Sequence, residues 1–175
     1  MILKNLSNII LAGGVDVYDD KNNTFFSKSL QNFQYQFYKD VNSKYQTLVA
    51  SSNYLNKDGD YNFIKSKFNS FETNLNSIKL SLSNHPSTQI TSITYLDTVL
   101  KKEIFYQLLT KISNNKKALV TLLPVHQFDL TSASKEIFNY KGKNYRYGGI
   151  CLLNNEIMKE FSSIISKHLD KTLPY

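Results

Sequence analysis

Between residues 24 and 52 the apolar positions Phe26, Leu30, Phe33, Phe37, Val41, Tyr45 and Leu48 recur at steps of three and four, while Lys28, Gln31, Gln34, Lys39, Asn42 and Lys44 lie between them. That spacing returns to one face of a 3.6-residue helix and predicts a long amphipathic helix. Residues 53–60, with Asp58-Gly59-Asp60 at their end, break it. The next stripe is the most regular in the chain: Tyr61, Ile64, Phe68, Phe71, Leu75, Ile78 and Leu82 alternate steps of three and four. A heptad seam of this length suits two antiparallel helices packed in one bundle, and is too short for a free coiled coil. Asn84-His85-Pro86-Ser87 ends it, because proline excludes the helical conformation from the residue before it.

A third helix is predicted over 88–113, with Ile93, Leu96, Leu100, Ile104, Leu108 and Ile112 on one face, widened by Val99, Phe105 and Leu109. After the polar loop Ser113 to Lys117, the run Ala118 to Leu123 reads as a short buried strand ended by Pro124. Residues 137–150 then change grammar. They hold Gly142, Gly148 and Gly149, the tyrosines Tyr140, Tyr145 and Tyr147, and the single arginine, Arg146. This is a β-hairpin with Lys141-Gly142-Lys143 at its tip, and pairing Tyr140 with Asn144 sets Phe138 opposite Arg146 and Ile137 opposite Tyr147. A lone hairpin is marginal, so the strand at 118–123 or a partner's strand is expected to extend it. Asn154 or Asn155 then caps a last helix, with Ile157, Phe161, Ile164, Ile165 and Leu169 inward and Lys167 and Lys171 in its final turn.

The fold class that follows is α+β: a predominantly helical bundle of three long helices, then a small antiparallel β-hairpin or sheet, then a C-terminal helix. Within one domain, 1–175, residues 1–23 form an arm or strand, 24–113 the bundle, 118–153 the small sheet and 154–173 the closing helix. The length of 175 residues suits a single domain with its own core.

Composition narrows the class more than the activity. Apolar residues make up 41% and charged residues 20%, values of an ordinary globular protein. The 21 basic and 14 acidic residues give a formal net charge of +7, which favours an anionic partner without demonstrating one. Nearly all that charge is lysine, and tryptophan is missing while Asn, Ser, Tyr and Phe abound. An AT-rich coding genome produces this bias, so lysine abundance is weak evidence for phosphate binding. Cys151 is the only cysteine and sits in Ile150-Cys151-Leu152-Leu153, as a small buried hydrophobe. No stretch reaches the roughly 18 apolar residues of a membrane span. Asn5, Ser7 and Asn8 interrupt the N-terminal apolar run, so no cleavable export signal is expected, and the location expected is cytoplasm or virion.

No motif of known chemistry emerges. His85, His126 and His168 are far apart, and none has a further ligand at metal spacing. Residues 56–62 resemble a calcium loop only superficially: with Gly59 at the turn position, Tyr54 and Lys65 would stand where carboxylates are needed. Gly13-Gly14 lacks the third glycine and the Lys-Ser/Thr of a phosphate loop. No nucleophile elbow surrounds a serine. Asp16, Asp19 and Asp20 cluster near the N-terminus, but no second cluster or metal-type spacing supports nuclease chemistry. No cofactor and no metal are expected.

The hairpin is the remaining candidate. Tyr140, Lys141, Lys143, Tyr145, Arg146 and Tyr147 are residue types that meet phosphates and stack on bases, and equally types that anchor protein interfaces. Against both stands a solvated hairpin folded onto its own domain. The sequence reading is a non-enzymatic assembly subunit of a large particle, such as a phage head–tail connector or tail component. Its partners would be other protein subunits, in a homo- or hetero-oligomer. The alternative is a nucleic-acid-binding subunit of a ribonucleoprotein; a membrane partner is not expected. An enzymatic reading would have to rest on Asp16, Asp19 or His126.

Overall fold

The computed structural model describes residues 6–12, 21–50, 61–65, 89–115, 118–124 and 137–154, together with Ile157, Glu160 and Ser163, which are helical. Its elements in chain order are β1 (Leu6–Leu11), α1 (Lys21–Asp40), β2 (Tyr45–Ala50), β3 (Asn62–Lys65), β4 (Ile90–Tyr95), α2 (Lys102–Asn115), β5 (Leu119–Pro124), β6 (Ile137–Tyr140) and β7 (Lys143–Asn154). Among the described residues the strands form one seven-stranded sheet in the order β3-β2-β1-β4-β7-β5, with β6 also on β7. Strands β3, β2, β1 and β4 are parallel, and β7 is antiparallel to β4, β5 and β6.

This architecture overturns the three-helix bundle. The chain is an α/β sheet with the two helices α1 and α2, besides the helical positions 157, 160 and 163, and each of the three predicted helices contains a strand. Residues 45–50 of the first are β2, Tyr61 and Ile64 of the second lie at and in β3, and Ile93 of the third lies in β4. Positions 68–82 of the heptad stripe fall outside the described residues. Two physical reasons account for the misreading. Strands covered on both faces carry runs of apolar residues rather than alternation, and such runs accidentally continue a neighbouring helical stripe. Ile90-Thr91-Ser92-Ile93-Thr94-Tyr95 is also rich in β-branched residues, whose side chains favour the pleated strand over the helix.

Of the N-terminal segment, expected as an arm or strand, residues Leu6–Leu11 form β1, an inner strand between β2 and β4. Ser7 and Asn8, two of the polar residues that broke the apolar run, are buried. Ser7 Oγ and Thr91 Oγ1 lie 3.0 Å apart, and Ser43 Oγ donates to Asn8 Oδ1 at 3.0 Å.

The first helix ends at a chemically defined stop. Asn42 takes a left-handed conformation (φ 57°), its N–H donates to Lys39 O, and the N–H of Ser43 donates to Tyr38 O. These two bonds satisfy carbonyls that the last helical turn leaves free. The chain then reverses into β2, with Lys44 N–H donating to Leu6 O.

Both helices pack on one sheet face. Phe105 of α2 meets Phe37 at 5.4 Å and Tyr38 at 5.7 Å between ring centroids, both edge-on. Leu6, Ile10, Leu48, Ile90, Ile150 and Leu152 of the sheet complete that core. Burying a ring such as Phe105 contributes about 1.5–3 kcal/mol relative to leaving it in water. Tyr38 is wholly buried, and its hydroxyl bonds the hydroxyls of Ser92 (2.8 Å) and Thr94. Burial pushes its phenol up to about 12. On the opposite face Ile9, Val49, Ile93 and Leu153 form a second buried cluster. At the outer rim Lys102 of α2 donates to Asp40 of α1 at 2.5 Å. That hydrogen bond, with one from Gln36, holds the Asp40 carboxyl below the usual carboxylate range.

Candidate functional site

In an open α/β sheet, ligands bind beyond the carboxyl ends of the parallel strands, where the strand order reverses. Here that point lies between β1 and β4: from β1 the order runs to β2 and β3 on one side, and the chain then returns to place β4 on the other. The residues there are Leu11 and Ala12 at the end of β1, and Tyr95, Leu96, Asp97 and Thr98 at the end of β4.

The turn after β4 is tightly held. Leu96 N–H donates to Leu11 O (3.1 Å), which continues the parallel ladder, and Thr98 N–H donates to Tyr95 O (3.1 Å), which closes the turn. Ala12 N–H donates to Val49 O (2.7 Å), tying β1 to β2 at the same level. Gln34 reaches in from α1: its Nε2 donates to Leu96 O (3.2 Å) and to Thr98 O (2.5 Å). Leu96 and Gln34 are buried, whereas Asp97 between the two bonded carbonyls is exposed. The result is a carboxylate in solvent on a hydrogen-bonded turn.

The wall of this site is β7. Its residues 150–154 pair with β4, but the strand runs on beyond the end of β4, where residues 143–146 pair with β6. Between these stretches lies an irregularity: Thr121 of β5 stands where β7 supplies residues 148–150. Such bulges bend a strand and raise its twist. Gly149 takes φ +81° there, and Thr98 Oγ1 donates to its carbonyl at 3.2 Å. The hairpin is therefore the continuation of the sheet past the carboxyl edge, anchored at Thr98.

The predicted hairpin residues can now be placed. Tyr140 pairs with Lys143 across a two-residue turn, Lys141-Gly142, in which both residues have positive φ (51° and 75°). This is the turn whose twist matches a hairpin, and it shifts the register by one from the expected pairing, so that Phe138 faces Tyr145 and Ile137 faces Arg146. Asn139 fixes the turn, its Oδ1 accepting from Gly142 N–H and its Nδ2 donating to Asn144 Oδ1. Tyr140 is 54% exposed, with Lys141 Nζ 5.3 Å from its ring centroid. Lys143 and Arg146 are exposed, Tyr145 is half-buried, and Tyr147 stands opposite Leu122 of β5. Among the described residues β5 is the end strand of the sheet and is largely exposed rather than buried, with Val120 50% exposed.

Of the residues that build the site, Asp97 and Thr98 were not singled out by sequence reasoning, Gln34 figured there only as a polar position between apolar ones although it is buried, and Gly149 only as a glycine of the hairpin segment. The available signal was an Asp-Thr pair closing a β-branched run. His126, Asp16, Asp19, Asp20, Gly13 and Gly14 lie outside the described residues, as do His85, His168 and residues 56–60. Among the described residues no group of three His, Cys, Asp or Glu side chains converges on a metal position, and no helix is long and apolar enough to cross a membrane. Burial pushes the Cys151 thiol up to about 11, so it is not a ready nucleophile.

The class of fold is that of the cytidylyltransferases. A structure of 4-diphosphocytidyl-2C-methyl-D-erythritol synthase from Anaerococcus prevotii superposes with a TM-score of 0.60 at 14% identity, over 98% of this chain and 80% of that one. 2-C-methyl-D-erythritol 4-phosphate cytidylyltransferase from Thermus thermophilus gives 0.58 at 10% identity, over 97% and 80%. The bifunctional IspDF from Campylobacter jejuni gives 0.58 at 14% identity, over 98% of this chain but only 44% of its own. No protein-family model and no curated protein sequence matches the chain.

These likenesses overturn the expectation of a non-enzymatic assembly subunit, and with it the phage head–tail or tail component and the ribonucleoprotein alternative. Those readings rested on a helical body carrying a free arm. The chain instead has a fold shared with enzymes, and the supposed arm is part of its sheet.

Proposed function

We propose that this chain is a nucleotide-binding domain of the nucleotidyltransferase kind, with a cytidine nucleotide as its first candidate ligand. One observation carries the reading: Asp97 is exposed at the β1/β4 reversal point of a sheet that matches cytidylyltransferase structures over 97–98% of this chain.

The physical support is local. A carboxylate beside phosphates is repulsive unless a cation lies between them. Mg²⁺ is commonly held by one or two carboxylates plus the substrate's own phosphates, so Asp97 fits a metal ion that arrives with the nucleotide. Such an ion would neutralise charge on the phosphates.

In the reaction this reading implies, an acceptor phosphate oxygen attacks the α-phosphorus of CTP. The bond from that phosphorus to the bridging oxygen breaks, and pyrophosphate leaves with the electron pair. Catalysis of such transfers is mainly positioning and electrostatic stabilisation. The fixed Leu96–Thr98 turn suits that task.

Calorimetric titration with CTP, UTP, ATP and GTP, each with and without Mg²⁺, tests the reading. CTP with Mg²⁺ is expected to bind best, and Asp97→Asn to weaken it at least tenfold without unfolding the chain. Pyrophosphate release on adding 2-C-methyl-D-erythritol 4-phosphate would extend binding to activity. If no nucleotide binds at millimolar concentration, the reading fails.

A further inference from the structure

We infer that Gln34 is a positioning residue for the Asp97 site: its buried amide fixes the direction in which the Asp97 carboxylate is offered to ligand. The inference rests on the nucleotide reading above for what the carboxylate meets, and on geometry alone for how it is held.

The carboxamide of Gln34 has two N–H hydrogens, and the two carbonyls that bracket Asp97 lie within reach of both. Nε2 stands 3.2 Å from Leu96 O and 2.5 Å from Thr98 O, and the residue is 2% exposed. Both carbonyls have left the strand ladder. Without a donor they would be desolvated acceptors at the end of β4, and the turn would rearrange towards water. The other ties of the turn are Leu96 N–H to Leu11 O and Thr98 N–H to Tyr95 O, both backbone, and Thr98 Oγ1 to Gly149 O. Among the described residues, Gln34 is the side chain that links the turn to the helical layer.

That layer is rigid where the clamp originates. One turn further along α1, Phe37 packs against Phe105, and Tyr38 bonds Ser92 and Thr94 on the same strand that leads into the turn. The helix thus grips β4 twice, at mid-strand through Tyr38 and past its end through Gln34. The first grip holds the core together. The second surrounds a residue that is itself in solvent, which a purely structural contact does not require.

The test compares the wild-type chain with Gln34→Met, Asp97→Asn, the double variant and Tyr38→Phe. Methionine keeps the shape of Gln34 and loses its donors, whereas Tyr38→Phe perturbs the same helix away from the turn. Two measurements are made on each: hydrogen exchange of the 96–99 amides, and affinity for CTP with Mg²⁺. In Gln34→Met, exchange at 96–99 is expected to quicken tenfold or more and CTP affinity to fall about tenfold. The double variant should bind no worse than Asp97→Asn alone, because Gln34 acts through Asp97. Tyr38→Phe should lower stability and leave affinity near the wild-type value. Gln34→Glu, an isosteric variant that sets a carboxylate against both carbonyls, should reproduce the methionine result and stands in if that variant does not fold. Unchanged exchange at 96–99 overturns the inference, as does a loss of affinity that adds fully to that of Asp97→Asn. If the wild type binds no nucleotide, the functional reading alone falls, and exchange still decides whether Gln34 holds the turn.

Discussion

Thr98 and Gly149 meet at the junction between the sheet and its hairpin extension: Thr98 Oγ1 donates to the Gly149 carbonyl at 3.2 Å, and a Cβ on Gly149 would lie 2.0 Å from the same oxygen. The contact leaves no room for a side chain, and φ +81° at Gly149 already disfavours one. Gly149→Ala is therefore expected to destabilise the fold by about 2–4 kcal/mol, combining left-handed strain with the displacement of Thr98. Urea denaturation measures it. Thr98→Ala should cost far less by itself and should recover only part of the loss in the double variant, because the backbone strain remains. Full recovery would show that the clash, rather than the conformation of Gly149, sets the cost.

Tyr38 supplies a pH-dependent prediction. Its phenol is raised to about 12 by burial, against which the bonds to Ser92 and Thr94 act more weakly. An unfolded tyrosine ionises near pH 10. From about pH 10 to 12 the unfolded state thus releases a proton that the folded state keeps, and folding stability falls across that window by as much as about 3 kcal/mol. Below pH 10 this residue gives no pH dependence. Tyr38→Phe removes the contribution, so its stability should fall less steeply above pH 10. At neutral pH the same variant should cost about 1–2 kcal/mol, because two buried hydroxyls lose a partner. Equal slopes for the two proteins above pH 10 would contradict the assignment.

Asn42 marks where the sequence could have been read better. Its left-handed φ of 57° ends α1, and asparagine is the usual substitute for glycine at that position. The apolar stripe continued through Tyr45 and Leu48 and masked the signal, since a buried strand beginning three residues after a helix cap can keep the phase of the helix by chance. Asn42→Gly should hold or raise stability by up to about 1 kcal/mol, and Asn42→Ala should lower it by about 1 kcal/mol. Thermal unfolding checks both. If alanine is the more stable of the two, the cap is not what stops the helix.

What was legible was therefore local. The turn residues Lys141-Gly142 announced the hairpin, and Pro124 announced the end of β5. What was not legible was non-local. The β4 segment looks helical until Ser7 and Thr91 are seen paired across two strands, and Ser7 and Asn8 look like loop residues until their partners are known. Asp97 gave no sign of itself, because its meaning lies in standing at the end of β4 beside β1, and sequence spacing does not record which strand lies next to which.

The hairpin cations divide by distance from the site. Gly149 touches Thr98, and each strand residue advances about 3.4 Å. Arg146, three residues away, stands about 10 Å along β7, while Lys143 stands about 20 Å away and Lys141 lies beyond the turn. The Debye length is about 8 Å at physiological salt. An arginine about 10 Å away, with a side chain long enough to close much of the gap, can act on bound phosphates; charges two or more screening lengths away act little. Arg146→Ala is thus expected to weaken CTP binding three- to tenfold and to flatten its salt dependence, while Lys141→Ala combined with Lys143→Ala leaves both nearly unchanged. Both variants should fold normally, since all three side chains are exposed. Titrations at low and high salt read the difference. Should the lysine pair carry the effect instead, the hairpin tip must lie much nearer the nucleotide than its register along β7 allows, and the ligand would have to reach from the Asp97 turn to the end of the arm.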